Sequence, residues 1–364
     1  MPTLEPKKIL IAPLDWGLGH TARCIPLIRY IMSLGRTPLV AGNASQQSFI
    51  RETFENIDFI HLPGYDITYS KWNRFLQAGL LFQLPGICKT INSEHKWLQE
   101  LSQNLQIDGI ISDNRYGLFH SQIPSVIMTH QLLVQSGMGS ATDRMVQKIH
   151  YSYLQRFNNV WVVDNPGIPN LAGKLSQTRM LPRGTKYIGL LSRFENIEKE
   201  KLAGDNLLVV LSGPEPQRTI LSGILWQQVL DYGGNVVFIE GSESAIPPPV
   251  IPPHITYHKR LTDQYLTPLL RNAGIVICRS GYSTLMDLVA VQKKAILIPT
   301  TGQTEQEYLA RYLNEQGIFY TAKQDGFLLE TALKEAQQFP FHFPDLQESY
   351  SLYKKVVKEW VEAL

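Results

Sequence analysis

Cysteine is scarce in this chain. Cys24, Cys88 and Cys278 are the three among 364 residues. They are scattered and odd in number, which argues against a disulfide framework or a clustered metal site and fits a reducing, cytoplasmic setting. Excess charge of either sign is also lacking. Lys plus Arg total 34 against 32 Asp plus Glu, a formal +2, so no bulk electrostatic case exists for nucleic acid and a polyanionic partner must be small. No apolar run approaches the roughly 18 residues that a membrane helix requires. Met1 to Lys8 has no apolar signal core, so no membrane span is expected. No Asp-x-Asp pair follows a strand, which removes one route to a divalent cation, and no metal site is expected.

What the sequence does contain is a globular composition, 44% hydrophobic and 18% charged, in a chain long enough for two domains of roughly 150 to 190 residues. Short apolar runs alternate with segments of helical period, the pattern of α/β folds with parallel sheets. The runs predict strands at Lys8–Ala12, Thr37–Ala41, Ile57–His61, Ile107–Ser112, Ser125–Met128 and Val160–Val163, with a helix over Arg23–Leu34. Tyr69–Leu105 interrupts this rhythm with a long, helical, aromatic-rich stretch. After the charged linker Glu195–Lys201 a second set begins, with strands at Asn206–Leu211, Val236–Glu240, Ile275–Cys278 and Ala295–Ile298. Pro247–Pro253 is a rigid surface connection. The last segment, Gln347–Leu364, carries Tyr350, Tyr353, Val357, Trp360 and Val361 on one helical face.

The first strand runs into Pro13-Leu14-Asp15-Trp16-Gly17-Leu18-Gly19-His20-Thr21-Ala22. This satisfies Gly-x-Gly-x-x-Ala in a strand-to-helix context, the dinucleotide fingerprint. That fingerprint also needs an acid about 20 residues on, and the second strand ends in Gly42-Asn43 instead, so NAD is disfavoured. A glycine loop before a helix still offers free N–H groups and a positive dipole end. His20 stands at that helix start, where the dipole keeps the ring neutral, as a base requires; the bland reading is a histidine that caps or packs.

In the second half, Ile275-Val276-Ile277-Cys278 leads into Arg279-Ser280-Gly281-Tyr282-Ser283-Thr284 and a helix. Ser283, Thr284 and Asp287 then share one helical face, with a phosphate expected at the helix N–H groups and a ribose one turn along. The alternative is that Ser280 caps the helix and Asp287 is solvated. Thr304-Glu305-Gln306-Glu307 reads as a capping box, which occupies Glu307 locally and leaves Gln306 open to a sugar hydroxyl.

Cys278 to Asp287, Pro299 and Gln306-Glu307-Tyr308 together resemble the C-terminal domain of glycosyltransferase family 28, and within it the N-acetylglucosaminyltransferases of peptidoglycan precursor synthesis. More loosely, Gly17-Leu18-Gly19-His20 and Thr129-His130-Gln131 resemble the N-terminal loops of that family. Trp161 to Asp164, Asn170 to Gly173 and Tyr187 to Gly189 are similar to uncharacterised bacterial glycosyltransferase-like proteins. The resemblance implies a GT-B architecture, with two Rossmann-like parallel-sheet domains facing a cleft. Residues 1–190 would bind the acceptor, residues 191–344 the nucleotide sugar, and the helix at 345–364 would pack back on the first domain. It implies a UDP-sugar co-substrate and no cofactor. Ser280, Gly281, Ser283, Thr284, Asp287 and Arg260 would meet the nucleotide, with Arg279 as a further cation for the leaving group, and Gln306 and Glu307 the donor sugar.

Two departures stand out: Asp287 occupies a position that is glutamate in the family, and Glu307 one that is glutamine. On the acceptor side Gly17, Gly19, His130 and Arg115 are expected, although Arg115 is equally read as the partner of a structural carboxylate. His20, Asp15 and Asp113 are the candidate bases. The expected activity is transfer of a hexosyl group, N-acetylglucosamine first, to a lipid-linked or saccharide acceptor. The aromatic Tyr69–Phe82 segment suggests peripheral contact with the inner face of the membrane, although such a stripe is more often core. A UDP-sugar 2-epimerase of the same fold and a non-catalytic lectin-like protein are the alternatives.

Overall fold

The computed structural model describes residues 6–65, 84–134, 139–197 and 204–364. The aromatic segment Tyr69–Phe82 lies outside the described residues, as does most of the charged linker. Two compact units are present. The first runs to Arg193 and takes in Leu346–Leu364, and the second spans Phe194–Asp345.

In the first unit the chain alternates β1 (Lys8–Pro13), α1 (Gly19–Ser33), β2 (Thr37–Gly42), α2 (Ala44–Arg51), β3 (Asp58–His61), α3 (Leu84–Asn104), β4 (Gly109–Asp113), β5 (Ser125–Thr129), α4 (Ser140–Leu154), β6 (Asn159–Val162) and β7 (Thr185–Tyr187). All seven strands are parallel, in the order β3-β2-β1-β4-β5-β6-β7. Strands in such sheets are covered on both faces and read as continuous apolar runs. That holds for β1, β4 and β5, whose Ile9, Leu10, Ile11, Ile110, Ile111, Val126 and Ile127 are fully buried. Three residues of β7 with no buried member gave no such run.

The second unit has β8 (Asn206–Val210), α5 (Gln217–Val229), β9 (Val236–Ile239), β10 (Ile255–His258), α6 (Asp263–Asn272), β11 (Ala273–Cys278), α7 (Tyr282–Ala290), β12 (Ala295–Leu297), α8 (Thr304–Glu315), β13 (Tyr320–Thr321) and α9 (Leu329–Gln337). Its parallel sheet is ordered β10-β9-β8-β11-β12-β13. The core beneath it gathers Leu207, Val209, Leu225, Phe238, Ile277 and Ile296.

The final helix, α10 (Ser349–Glu362), belongs to the first unit. Its buried face, Tyr353, Val357, Trp360 and Val361, is the one the sequence marks as apolar. Tyr353 meets Tyr30 of α1 edge to face at 5.7 Å, and Trp360 meets Trp161 of β6 at 5.6 Å.

In both sheets the strand order reverses beside the first strand, between β1 and β4 and between β8 and β11. In open α/β sheets, ligands bind outside the carboxyl ends of the strands at such a reversal. Those two places hold most of the residues singled out in the sequence.

Candidate active site

At the reversal point of the first sheet, β1 ends at Pro13 and β4 at Asp113, paired in register. Asp113 is fully buried and collects three partners. Arg23, one turn beyond His20 on α1, donates from Nε at 2.8 Å and from Nη2 to the second carboxylate oxygen. The His20 Nδ1 lies 3.0 Å from Asp113 Oδ2, and the buried Cys24 thiol donates weakly from 3.9 Å. Arg23 Nη1 also lies 3.3 Å from His130 Nδ1, which places the buried His130 at the back of the same cluster.

Burial opposes ionisation of Asp113, but the Arg23 guanidinium and His20 outweigh it and hold the carboxyl well below the usual carboxylate range. An ionised Asp113 fixes the proton on His20 Nδ1 and leaves Nε2 with a lone pair. Burial first, and the Arg23 cation second, lower the His20 pKa from its ordinary 6.5, against the pull of Asp113. The ring is therefore neutral near pH 7. Burial and Arg23 thus add to the helix dipole that the sequence suggests. Asp113, a rival base on sequence grounds, is instead the partner that orients His20.

Asp15 and Arg115 form a second buried network. Arg115 has no exposed side-chain surface; it donates to Glu94 Oε1 at 2.8 Å, to Asp15 Oδ1 at 3.3 Å and to the Pro13 and Pro63 carbonyls. Glu94 in turn accepts from the Tyr65 hydroxyl at 2.7 Å and from the Gly117 N–H. Asp15 also accepts from the Tyr65 N–H. A Cβ on Gly64 would stand 2.0 Å from the Asp15 carboxylate, so only glycine permits that approach. Arg115 thus braces the glycine loop from behind, with its guanidinium engaged by Glu94, Asp15 and two carbonyls. Gln46 of α2 braces the loop from another side, donating to the Pro13 and Leu14 carbonyls and to Thr21. Asn43, where the dinucleotide fingerprint would need an acid, caps α2 in a capping box with Gln46. Gly17 adopts φ 84° with open space above it, and Gly19 opens α1 with its backbone exposed.

In the second unit, β11 ends at Cys278 and α7 begins at Tyr282. Its N-cap is Gly281, with no capping side chain, and a Cβ on Gly281 would meet nothing within 4 Å. Ser280 is not the cap: its hydroxyl donates to the Gln306 carbonyl at 2.9 Å. Ser283 and Thr284 are half-buried in the first turn, and Asp287 lies buried one turn on. Arg279 turns inward, its Nη atoms donating to the carbonyls of Ile298, Pro299 and Gln217, so it ties the end of β12 to the start of α5.

The predicted capping box at Thr304 is absent, because the N-cap of α8 is Gln303 and no side chain caps that helix. Glu307 accepts from the Gly302 N–H at 2.7 Å, and Gln306 accepts from the Thr300 N–H at 2.9 Å. Both side chains brace the turn after β12, so Gln306 is engaged locally as well. Arg260, just past β10, pairs with Glu243 at 2.8 Å. At the start of α5 the Glu215 carboxylate accepts from the Thr219 N–H at 3.3 Å, whereas the N-cap residues of α7 and α8 make no side-chain cap. Among the described residues no group of three His, Cys, Asp or Glu side chains is placed to hold a metal ion.

Residues 257–348 match the family model of the glycosyltransferase family 28 C-terminal domain. An uncharacterised glycosyltransferase of Methanosarcina acetivorans is 21% identical over 337 residues, covering 85% of this chain and 84% of that protein. The chain is a family 28-like glycosyltransferase with the GT-B fold. A 53-residue stretch, 14% of this chain and 15% of the relative, is 45% identical to the UDP-N-acetylglucosamine--N-acetylmuramyl-(pentapeptide) pyrophosphoryl-undecaprenol N-acetylglucosamine transferase of Histophilus somni. The crystal structure of Acinetobacter baumannii MurG superposes with a TM-score of 0.53 over 99% of this transferase and 100% of that chain, at 12% identity, a likeness of fold.

Two members of the site escape the sequence reading. Arg23 looks like one more helical arginine, although its three-residue spacing from His20 places both on one face of α1. Glu94 sits in a helix, and its partners Tyr65, Arg115 and Gly117 come from two distant loops, so no local pattern reveals it.

Proposed function

We propose that this transferase moves a hexosyl group, N-acetylglucosamine first, from a UDP-sugar to a hydroxyl of a saccharide or lipid-linked saccharide. The observation that carries the reading is the His20–Asp113 pair at 3.0 Å with Arg23 behind it. The neutral His20 Nε2 takes the proton of the acceptor hydroxyl, whose oxygen forms the new bond to the anomeric carbon. The bond from that carbon to the diphosphate breaks, and UDP leaves with the electron pair. Asp113 stabilises the imidazolium that forms. The diphosphate belongs at the uncapped start of α7, with Ser283 and Thr284, where free N–H groups and the helix dipole meet its charge. Asp287 takes the ribose, and Gln306 and Glu307 stand for the donor sugar. On this reading no metal and no cofactor beyond the UDP-sugar are required.

The matched family and the relatives are transferases, which favours transfer over 2-epimerisation. No helix among the described residues is long and apolar enough to cross a membrane. A cytoplasmic site of action, with peripheral contact at the inner face of the membrane, belongs to the same proposal. The test is incubation with UDP-N-acetylglucosamine and a chelator, with and without saccharide acceptors. Acceptor-dependent UDP release supports the reading; a changed sugar on UDP in the absence of acceptor overturns it.

A further inference from the structure

We propose that Trp16 is a stacking platform for the pyranose ring of the acceptor, so that the group receiving the transferred sugar is itself a carbohydrate. The inference rests on the transferase reading above. Trp16 lies in the loop between β1 and α1, four residues before His20, and is 40% exposed. Single exposed aromatics are ordinary on protein surfaces, but this one is mounted on a rigid support.

Its ring stands edge to face on Tyr65 at 6.4 Å. The Tyr65 ring is itself 5.8 Å from the Arg115 guanidinium, and its hydroxyl is tied to the buried Glu94. The flanking backbone is held through Asp15 by Tyr65 and Arg115, and through Pro13 and Leu14 by Gln46. The ring beneath the indole and the backbone on its N-terminal side are therefore fixed while the indole stays open to solvent. A pre-oriented aromatic of this kind loses little freedom when a ligand stacks on it.

The surroundings match a sugar better than a lipid. A pyranose presents C–H groups on one face and hydroxyls around its rim, so it needs one flat aromatic surface beside several hydrogen-bonding groups. His20 supplies one such group. The exposed backbone of Gly17 and Gly19, between Trp16 and His20, supplies others. A lipid surface would need several exposed apolar side chains ringed by cations. Among the described residues, Leu14 next to Trp16 is buried, and the charged groups of the loop's support are the Asp15 carboxylate and an Arg115 with no exposed surface.

The test titrates methyl β-glucoside, methyl β-galactoside and methyl N-acetyl-β-glucosaminide into the full chain with saturating UDP, read by ligand-observed NMR and indole fluorescence. At least one pyranoside is expected to saturate. Trp16→Ala should weaken it by about tenfold, the upper scale of one aromatic stacking contact, while Trp16→Phe stays within about threefold of the parent. UDP affinity and melting temperature should be equal in all three proteins, which separates loss of the platform from loss of the fold. Absence of saturation by any pyranoside overturns the proposal, as does parental affinity in Trp16→Ala. Loss of binding to anionic phospholipid vesicles in Trp16→Ala, with pyranoside binding intact, assigns the indole to lipid and also overturns it. Failure of the parent to bind UDP at all would instead strike at the transferase reading.

Discussion

His20 has its pKa below the ordinary 6.5 because burial and Arg23 together outweigh Asp113. The active form is the neutral ring, so kcat/KM should rise with pH through a limb below pH 6.5 and level off above it. Arg23→Gln removes a cation from beside the ring and raises its pKa, so the limb should move toward higher pH; a pH–rate profile that does not move would show that Arg23 has no part in tuning the base. The same substitution leaves Asp113 buried without its main counter-charge, at a cost of roughly 3 to 5 kcal/mol, measurable by denaturant unfolding. Asp287→Ala should weaken UDP binding by roughly ten- to a hundredfold, since a charged hydrogen bond contributes about 1.5 to 3 kcal/mol. Isothermal titration that finds affinity within a factor of two would remove Asp287 from the ribose. At this scale the sequence revealed those residues whose neighbours are local, such as His20 after its glycines. Arg23 and Glu94 were hidden because their partners lie about 90 and 20 residues away in the chain, beyond any local pattern.

Long apolar strands were legible within a residue or two, because a doubly covered parallel strand must be apolar throughout. Of the edge strands β3 was legible but β7, β10 and β13 were not: β7 has no buried member, β13 has two residues, and only Ile255 is buried in β10. The start of α8 was misplaced by one residue, and the alternative that Ser280 caps α7 is one residue off as well. Ser280 and Thr304 have capping side chains, but the adjacent Gly281 and Gln303 hold the extended backbone of the N-cap. At α7 the N-cap residue makes no side-chain bond, and that is the place where the proposed function puts the diphosphate. The apolar face of α10 was read correctly and joins the first unit. Trp360 is 8% exposed and packs on Trp161, so Trp360→Ala should cost roughly 3 to 5 kcal/mol. Deletion after Gln347 should cost more. Thermal denaturation of either variant at the parent's melting temperature would contradict this packing.

At the scale of the molecule, near-neutral charge and two parallel sheets that each reverse beside their first strand are what the proposed binding of a small anion at a helix end requires. A nucleotide that binds the folded state alone should stabilise it by about 2.7 kcal/mol at 100 times its dissociation constant. Thermal shift should therefore respond to UDP and UDP-sugars and stay flat with NAD, whose ribose finds Asn43, already engaged in capping α2, where an acid would be needed. The central claim is that His20 removes the acceptor proton while the nucleotide is bound elsewhere. Steady-state turnover of His20→Ala at saturating UDP-sugar measures it most directly. The expected result is a loss of roughly a hundred- to ten-thousandfold in kcat, the scale of general-base catalysis, with UDP affinity unchanged. A variant that keeps its turnover at saturation but loses UDP binding would contradict the account.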